Sequence, residues 1–444
     1  MPLLFAIGQI TAATSTTAPA ALPATLPAPT AQSARVAMRQ VKELQDLRKL
    51  DARGLLALSL NTTSSPALRY AAALHAMELA ADAGQIQPAL DAIAELHTRF
   101  GDDELTLGVT LVKRLAKASH NEPAAILACR YLDAALTAGR RNIAIDLSVT
   151  ITTIRPALSD QLSSFCGDSL DDFHHACEVL PTKPSAPAAP SATAPATNAE
   201  YACLYQNRWD TSLEELAHEK TELSQTAQDD IAAKDLASQM LVAERWWRAA
   251  QQTGGRTGWR IARRACAIYT ACLPQVDGVQ KALITSRMAE HQRQAMIHTG
   301  MLPGVFREIW KDGEPKRNRQ QTPAIDLPRE AKLPGMPRTD AHVRYSGQLF
   351  IEQPGRYELT CIAGSGLRVQ IDAKQLMENP KAYSKRNGEK LSLDLTAGLH
   401  PIEIEVWSAS SQPHLDLQWT PPGSAQKQPI PDSMLYHDPL VITP

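Results

Sequence analysis

The sequence predicts a multidomain protein in which two helical, repeat-like blocks precede an antiparallel β-sandwich, and three observations carry this. Apolar residues recur at helical spacing up to about residue 300. After residue 340 the period drops to 2. Between these regions lie tracts rich in Ala, Pro and Thr that cannot bury enough apolar area to offset their ordering entropy. At roughly 150 residues per domain, 444 residues amount to about three folding units, and 44% apolar content supports real cores. The 45 basic and 47 acidic side chains leave a net charge of −2, which argues against nucleic acid or an anionic membrane as partner. No apolar run approaches the roughly 18 residues of a membrane-spanning helix, so no transmembrane anchor is expected.

Residues 1–34 read as a signal-like, disordered leader. The apolar run Leu3 to Ile7 and the small residues Ala12 to Ser15 resemble the apolar and cleavage parts of a secretory signal, although the first basic residue is Arg35. Export to the periplasm or the cell exterior is the expectation. Residues 35–180 form the first helical block, with Leu74, Met77 and Ala81 and then Leu90, Ile93 and Leu96 on apolar faces. The block contains an internal echo, Ala83-Gly84-Gln85-Ile86-Gln87-Pro88-Ala89-Leu90 against Ala138-Gly139-Arg140-Arg141-Asn142-Ile143-Ala144-Ile145, in which a helix ends at glycine, four residues turn the chain and a small residue opens the next helix. The offset exceeds the roughly 34 residues of a tetratricopeptide array, so a divergent tetratricopeptide-like bundle and a plain irregular bundle stay equally open.

An Ala/Pro/Thr linker at 181–199 separates this block from a second, at 200–300. There Trp246 and Trp247 read as core packing between helices. Arg260, Arg263 and Arg264 read as a solvated basic face. The last segment, 301–444, starts with a Pro-rich stretch (Pro315, Pro323, Pro328, Pro334, Pro337), after which the strands begin. Six alternating runs follow: Val343 to Ile351, Tyr357 to Cys361, Leu367 to Ile371, Leu391 to Leu395, Ile402 to Val406 and Leu415 to Trp419. Each has one apolar face, as a two-layer sandwich needs.

The turns between these runs come in a telling order: Pro354-Gly355-Arg356-Tyr357, then Gly366 to Asp372, then Leu395-Thr396-Ala397-Gly398-Leu399-His400, then Trp419-Thr420-Pro421-Pro422. In this the C-terminal third resembles the PA14 family, whose members are mostly carbohydrate-binding modules of adhesins, glycosidases and toxins. With Ala243 to Trp247, then Arg263 to Tyr269, then Leu302-Pro303-Gly304, the helical blocks placed before it look like exported proteins of planctomycete-type bacteria. The sugar-binding branch of the resembled family holds calcium with two adjacent aspartates where this chain has Gly364 and Ser365. Calcium wants six to eight oxygens with several carboxylates, so the resemblance implies no calcium here. Candidate ligand contacts are Ser365, Arg368, Asp372 and Trp407. Asp372 reads more readily as a turn cap, and outward-facing Trp407 as either a sugar-stacking surface or a contact with the helical block.

Motifs for a metalloprotease, a phosphate loop or a serine-hydrolase elbow are absent from the sequence, and no cofactor is expected. The acid pairs Asp102-Asp103, Asp171-Asp172 and Asp229-Asp230 read as helix-start residues. Seven cysteines are too few and scattered for a disulfide framework. Cys166, His174, His175 and Cys177 form the one metal-like cluster, at a spacing that fits no zinc module, and a Cys166–Cys177 disulfide is an open alternative. The expected function is non-enzymatic: an exported protein whose β-module binds a glycan or cell-surface polymer. Two alternatives stand beside it, a protein-interaction scaffold using the helical blocks and a polysaccharide-active enzyme with an unrecognised site.

Overall fold

The computed structural model describes residues 50–179, 198–313, 318–328, 333–363, 366–379, 389–408 and 413–440, with isolated positions between 26 and 39. The signal-like run, most of the linker at 181–199, Gly364 and Ser365 lie outside the described residues. The chain divides into two units. One holds the helices up to Asp277 with His298–Gly300 and the C-terminus from Leu440; the other holds Gly278–Ile297 and Met301–Pro439.

Among the described residues the regular elements of the first unit are helices: α1 (Ala52–Leu60), α2 (Pro66–Asp82), α3 (Ile86–Phe100), α4 (Glu104–Lys117), α5 (Asn121–Thr137), α6 (Arg141–Ile154), α7 (Asp160–Val179), α8 (Ala199–Leu204), α9 (Trp209–His218), α10 (Ser224–Ala232), α11 (Leu236–Thr253) and α12 (Gly255–Cys272). Short polar side chains set the starts. Asp51, Ser65, Asp103, Asn198 and Asp235 each accept a backbone N–H of the first turn. Left-handed residues set the stops: Gly84, Gly101 and Gly139 have φ of 68°, 72° and 68°. Helices on both sides of the linker pack into this one unit. Tyr201 on α8 donates to the Leu136 carbonyl of α5, and Tyr205 Oη donates to Asp172 Oδ1 of α7 at 3.2 Å.

Two sequence readings are corrected here. Arg260 does not lie on a solvated face: it is 1% exposed. Its Nη2 donates to Asp172 Oδ2 at 2.9 Å and also pairs with Asp133, while its guanidinium lies 4.5 Å from the Tyr205 ring centre. Asp172 in turn is 2% exposed and sits well inside α7, accepting from Thr257 Oγ1 as well, so it is no helix-start acid. A buried charge demands a partner, and each of these residues is the reason the other can be buried. Asp230 likewise accepts from Arg264 and from Trp246 Nε1 near the end of α10. Asp103 does cap α4, and Trp246 and Trp247 are buried.

The second unit joins helix α13 (Gly278–His298, up to Ile297) to a two-layer sandwich. Its strands are β1 (Leu302–Pro303), β2 (Val305–Lys311), β3 (Asn318–Thr322), β4 (Ala341–Ile351), β5 (Gly355–Ala363), β6 (Gly366–Ile371), β7 (Lys374–Asn379), β8 (Glu389–Leu395), β9 (Gly398–Ser408), β10 (Leu415–Thr420), β11 (Gln428–Pro429) and β12 (Leu435–His437). The larger sheet runs β1-β12-β4-β9-β6-β7 with β2 and β3 attached at β4, and the smaller runs β11-β10-β5-β8. All six alternating runs seen in the sequence are strands, and their apolar phases meet in one core that includes Val343, Leu359, Val369, Ile404, Leu417 and Trp419. Strands also begin earlier than the sequence suggests, because β2 and β3 precede residue 340. β3 reads Asn-Arg-Gln-Gln-Thr and pairs only with β2, a polar edge strand with no period to detect.

Candidate functional site

The odd-numbered residues of β4 fill the core, which sends His342, Arg344, Ser346, Gln348 and Phe350 to the outer face of the larger sheet. At one end of that face, Phe350 and Tyr436 are buried under Met296 of α13. At the other end the register builds an aromatic row. Trp310 of β2 pairs with His342 of β4, His342 with Trp407 of β9, and Trp407 with Gly366 of β6.

The three rings are nearly parallel. Trp310 and His342 have centroids 5.0 Å apart at 20°, and His342 and Trp407 are 6.2 Å apart at 13°. The indole of Trp407 leans over Gly366, where a Cβ atom would stand 2.1 Å from it. Glycine at 366 is therefore what lets the indole lie there.

One row further along, the register places Glu308, Arg344, Glu405 and Arg368 side by side, with Glu378 of β7 beyond. Glu405 sits at the centre of this ladder. It accepts from Arg344 Nη2 at 3.2 Å, has Arg368 Nη1 at 3.6 Å, and lies 3.1 Å from His342 Nδ1. Arg368 Nη2 donates to Glu378 at 2.9 Å; this bond holds the Glu378 carboxyl below its usual range and raises the guanidinium further. Both ions persist at neutral pH. The guanidinium groups of Arg344 and Arg368 also approach the rings of Trp310 and Trp407, at 5.2 and 5.9 Å. Half-buried aromatic rings beside fixed planar donors and acceptors suit a ligand with apolar C–H groups and many hydroxyls.

Of the residues singled out from sequence, Trp407 and Arg368 meet on this face, and Ser365 lies outside the described residues. Asp372 does not join them. It starts the β6–β7 turn in a left-handed pose with Ala373, φ 54° and 57°, and donates its N–H to the Pro401 carbonyl at 3.0 Å. Its carboxylate is 2.8 Å from His400 Nδ1, and His400 Nε2 is 2.9 Å from the Thr396 carbonyl. The aspartate thus ties two turns of the sandwich together.

Cys166, His174, His175 and Cys177 all lie on α7. A helix rises about 1.5 Å per residue, so Cys166 and Cys177 stand roughly 16 Å apart and a bond between them is ruled out. Cys166 Sγ instead lies 3.8 Å from Cys129 Sγ, and His175 Nε2 is 3.5 Å from Glu200. Sequence reasoning missed Trp310 and His342 because their role depends on cross-strand register. The even phase of His342 and Arg344 beside the apolar odd phase was the available signal.

Residues 303–433 match the PA14 domain family, and the sandwich of the C-terminal third is a PA14 fold. Similar solved structures include an anti-sigma factor domain-containing protein from Clostridium clariflavum (21% identity, TM-score 0.27, covering 30% of this chain and 48% of that one). The PA14 sugar-binding domain of an RTX adhesin is another (16%, 0.25, covering 31% and 99%). A third is the PA14 domain of the MpAFP antifreeze protein (11%, 0.28, covering 31% and 92%). The match spans about half the length of the anti-sigma factor domain-containing proteins. A comparison with curated proteins finds no match.

Proposed function

We propose that the PA14 sandwich binds a glycan or other hydroxyl-rich surface polymer on the outer face of its larger sheet, with the helical unit as its scaffold. The observation that carries this reading is the aromatic row Trp310–His342–Trp407 laid against the Arg344–Glu405–Arg368 ladder. Sugar C–H groups pack against aromatic rings while hydroxyls reach guanidinium groups such as those of Arg344 and Arg368. The role is binding and not catalysis: Glu405 is shared by two arginines and His342 and so committed to structure. Because Gly364 and Ser365 replace the paired aspartates, binding is calcium-independent. The signal-like run Leu3 to Ile7 supports export to the periplasm or cell exterior.

A glycan-array screen of the full chain, run with and without excess chelator, tests the reading. Binding to at least one glycan is expected in both conditions. Trp407→Ala weakens it about fivefold or more, since truncating a central tryptophan commonly costs above about 1 kcal/mol. Binding that survives Trp407→Ala unchanged sinks this site, and an array with no signal sinks the function.

A further inference from the structure

Cys129 and Cys166 come from different helices, α5 and α7, and meet in the interior of the helical unit with both residues 0% exposed. Their sulfurs are 3.8 Å apart. A disulfide needs about 2.05 Å. Closing that gap takes less than 2 Å of sulfur movement.

The surroundings differ for the two sulfurs. Burial opposes ionisation of Cys129, but its contacts with Cys166 and Ser169 and the charges of Arg256 and Arg130 outweigh it and lower its pKa. The contact with Cys129, together with burial, pushes Cys166 up.

We propose that Cys129 and Cys166 are a dithiol that oxidises to a disulfide, clamping α5 to α7. The location of the clamp gives it a use. α5 also carries Asp133 and α7 carries Asp172, the two carboxylates that hold buried Arg260. A covalent link between the helices fixes the spacing of that ion cluster.

The oxidant is a disulfide, either glutathione disulfide or that of a thiol oxidoreductase. One of the two cysteines, as its thiolate, attacks one of the oxidant's sulfurs, forming a mixed disulfide and expelling one thiolate, which takes up a proton. The other cysteine then loses its proton, attacks the sulfur of the first and expels the second thiolate. In total two thiols give up two electrons and two protons, and the oxidant's disulfide becomes two thiols. Since neither sulfur is exposed, exchange takes place during folding or a local opening of α7.

The inference does not rest on the glycan-binding reading or on export, because it is tested in a defined redox buffer. The full chain, purified reduced, is unfolded and refolded with glutathione disulfide, then alkylated under denaturing conditions and mapped by mass spectrometry without reduction. The expected product is a linked peptide pair carrying Cys129 and Cys166, two mass units below the sum of its reduced parts. Oxidation raises the melting midpoint of the helical unit by roughly 5 °C or more, and dithiothreitol reverses the rise. Cys129→Ala and Cys166→Ala remove the linked pair and the shift. Alkylation of both wild-type cysteines after refolding overturns the proposal, as does a dominant link from either one to another cysteine. Neither outcome depends on whether the variants fold.

Discussion

His298 is buried against the indole of Trp259, with ring centroids 5.5 Å apart, and its carbonyl accepts a bond from Arg256. Burial, then the Arg256 charge, hold its pKa down to about 3. Below the ordinary value near 6.5 the unfolded chain takes up a proton that the folded chain refuses until about pH 3. Stability therefore falls as pH drops through that window, with a limiting slope of about 1.4 kcal/mol per unit. Between pH 7 and pH 5 this one residue removes about 2 kcal/mol. Denaturant unfolding at the two pH values checks it: His298→Phe should lose that part of the pH dependence, and equal losses in variant and wild type would contradict the assignment. Neither this histidine nor Arg260 was legible as buried. A sequence shows that Arg260, Arg263 and Arg264 are neighbours on a helix, but the acids that neutralise Arg260 are Asp133 and Asp172, far along the chain. Charge read locally looks like surface, and only the partner reveals the core.

At the scale of elements, the helical turns show what a residue alphabet can hide. Gly84 and Gly139 announced two helix ends, and a third of the same geometry lies between them at Ser119, with φ 65°. There His120 N donates to the Leu115 carbonyl at 2.9 Å, as Gln85 N does to Ala80 and Arg140 N to Ala135, both at 2.8 Å. The turn was invisible because serine occupies a left-handed position that favours glycine. Ser119→Gly is therefore expected to stabilise the unit by about 0.5–1 kcal/mol, seen as a small rise in midpoint. Gly139→Ala, which meets only Gln206 Nε2 at 3.6 Å, should lose about as much for backbone reasons alone. Two changes of the same sign would refute the shared-turn account. The strands follow a similar rule: the six with regular apolar alternation were readable, whereas β2, β3 and β7 were not, and β3, polar throughout, pairs at an edge that leaves no periodic trace. For the face proposed to bind, Trp407 and Arg368 were legible one at a time. Trp310 and His342 required the register that sets four strands side by side.

At the scale of the whole molecule, the change from helical to strand periodicity is not where the second unit begins. Helix α13 has the periodicity of its helical predecessors, and the sequence therefore groups it with residues 200–300, yet Gly278–Ile297 belongs with the sandwich. The reason is local burial. Met296 covers Phe350 and Tyr436, which point out of the larger sheet and are 1% and 3% exposed, and Arg293 pairs with Glu352 at the end of β4. A fragment of residues 301–439 exposes both aromatic rings to water, at a cost of roughly 1.5–3 kcal/mol for each ring uncovered. A fragment of residues 278–439 keeps them covered. For a unit of this size, 1 kcal/mol shifts the midpoint by roughly 2–4 °C. The longer fragment should thus melt at least about 5 °C higher than the shorter one, and the shorter one should bind a hydrophobic dye and self-associate. Both should give a β-rich circular-dichroism spectrum, with added helix in the longer fragment. Identical midpoints would mean that α13 contributes nothing to the sandwich, and the unit would then begin at Met301.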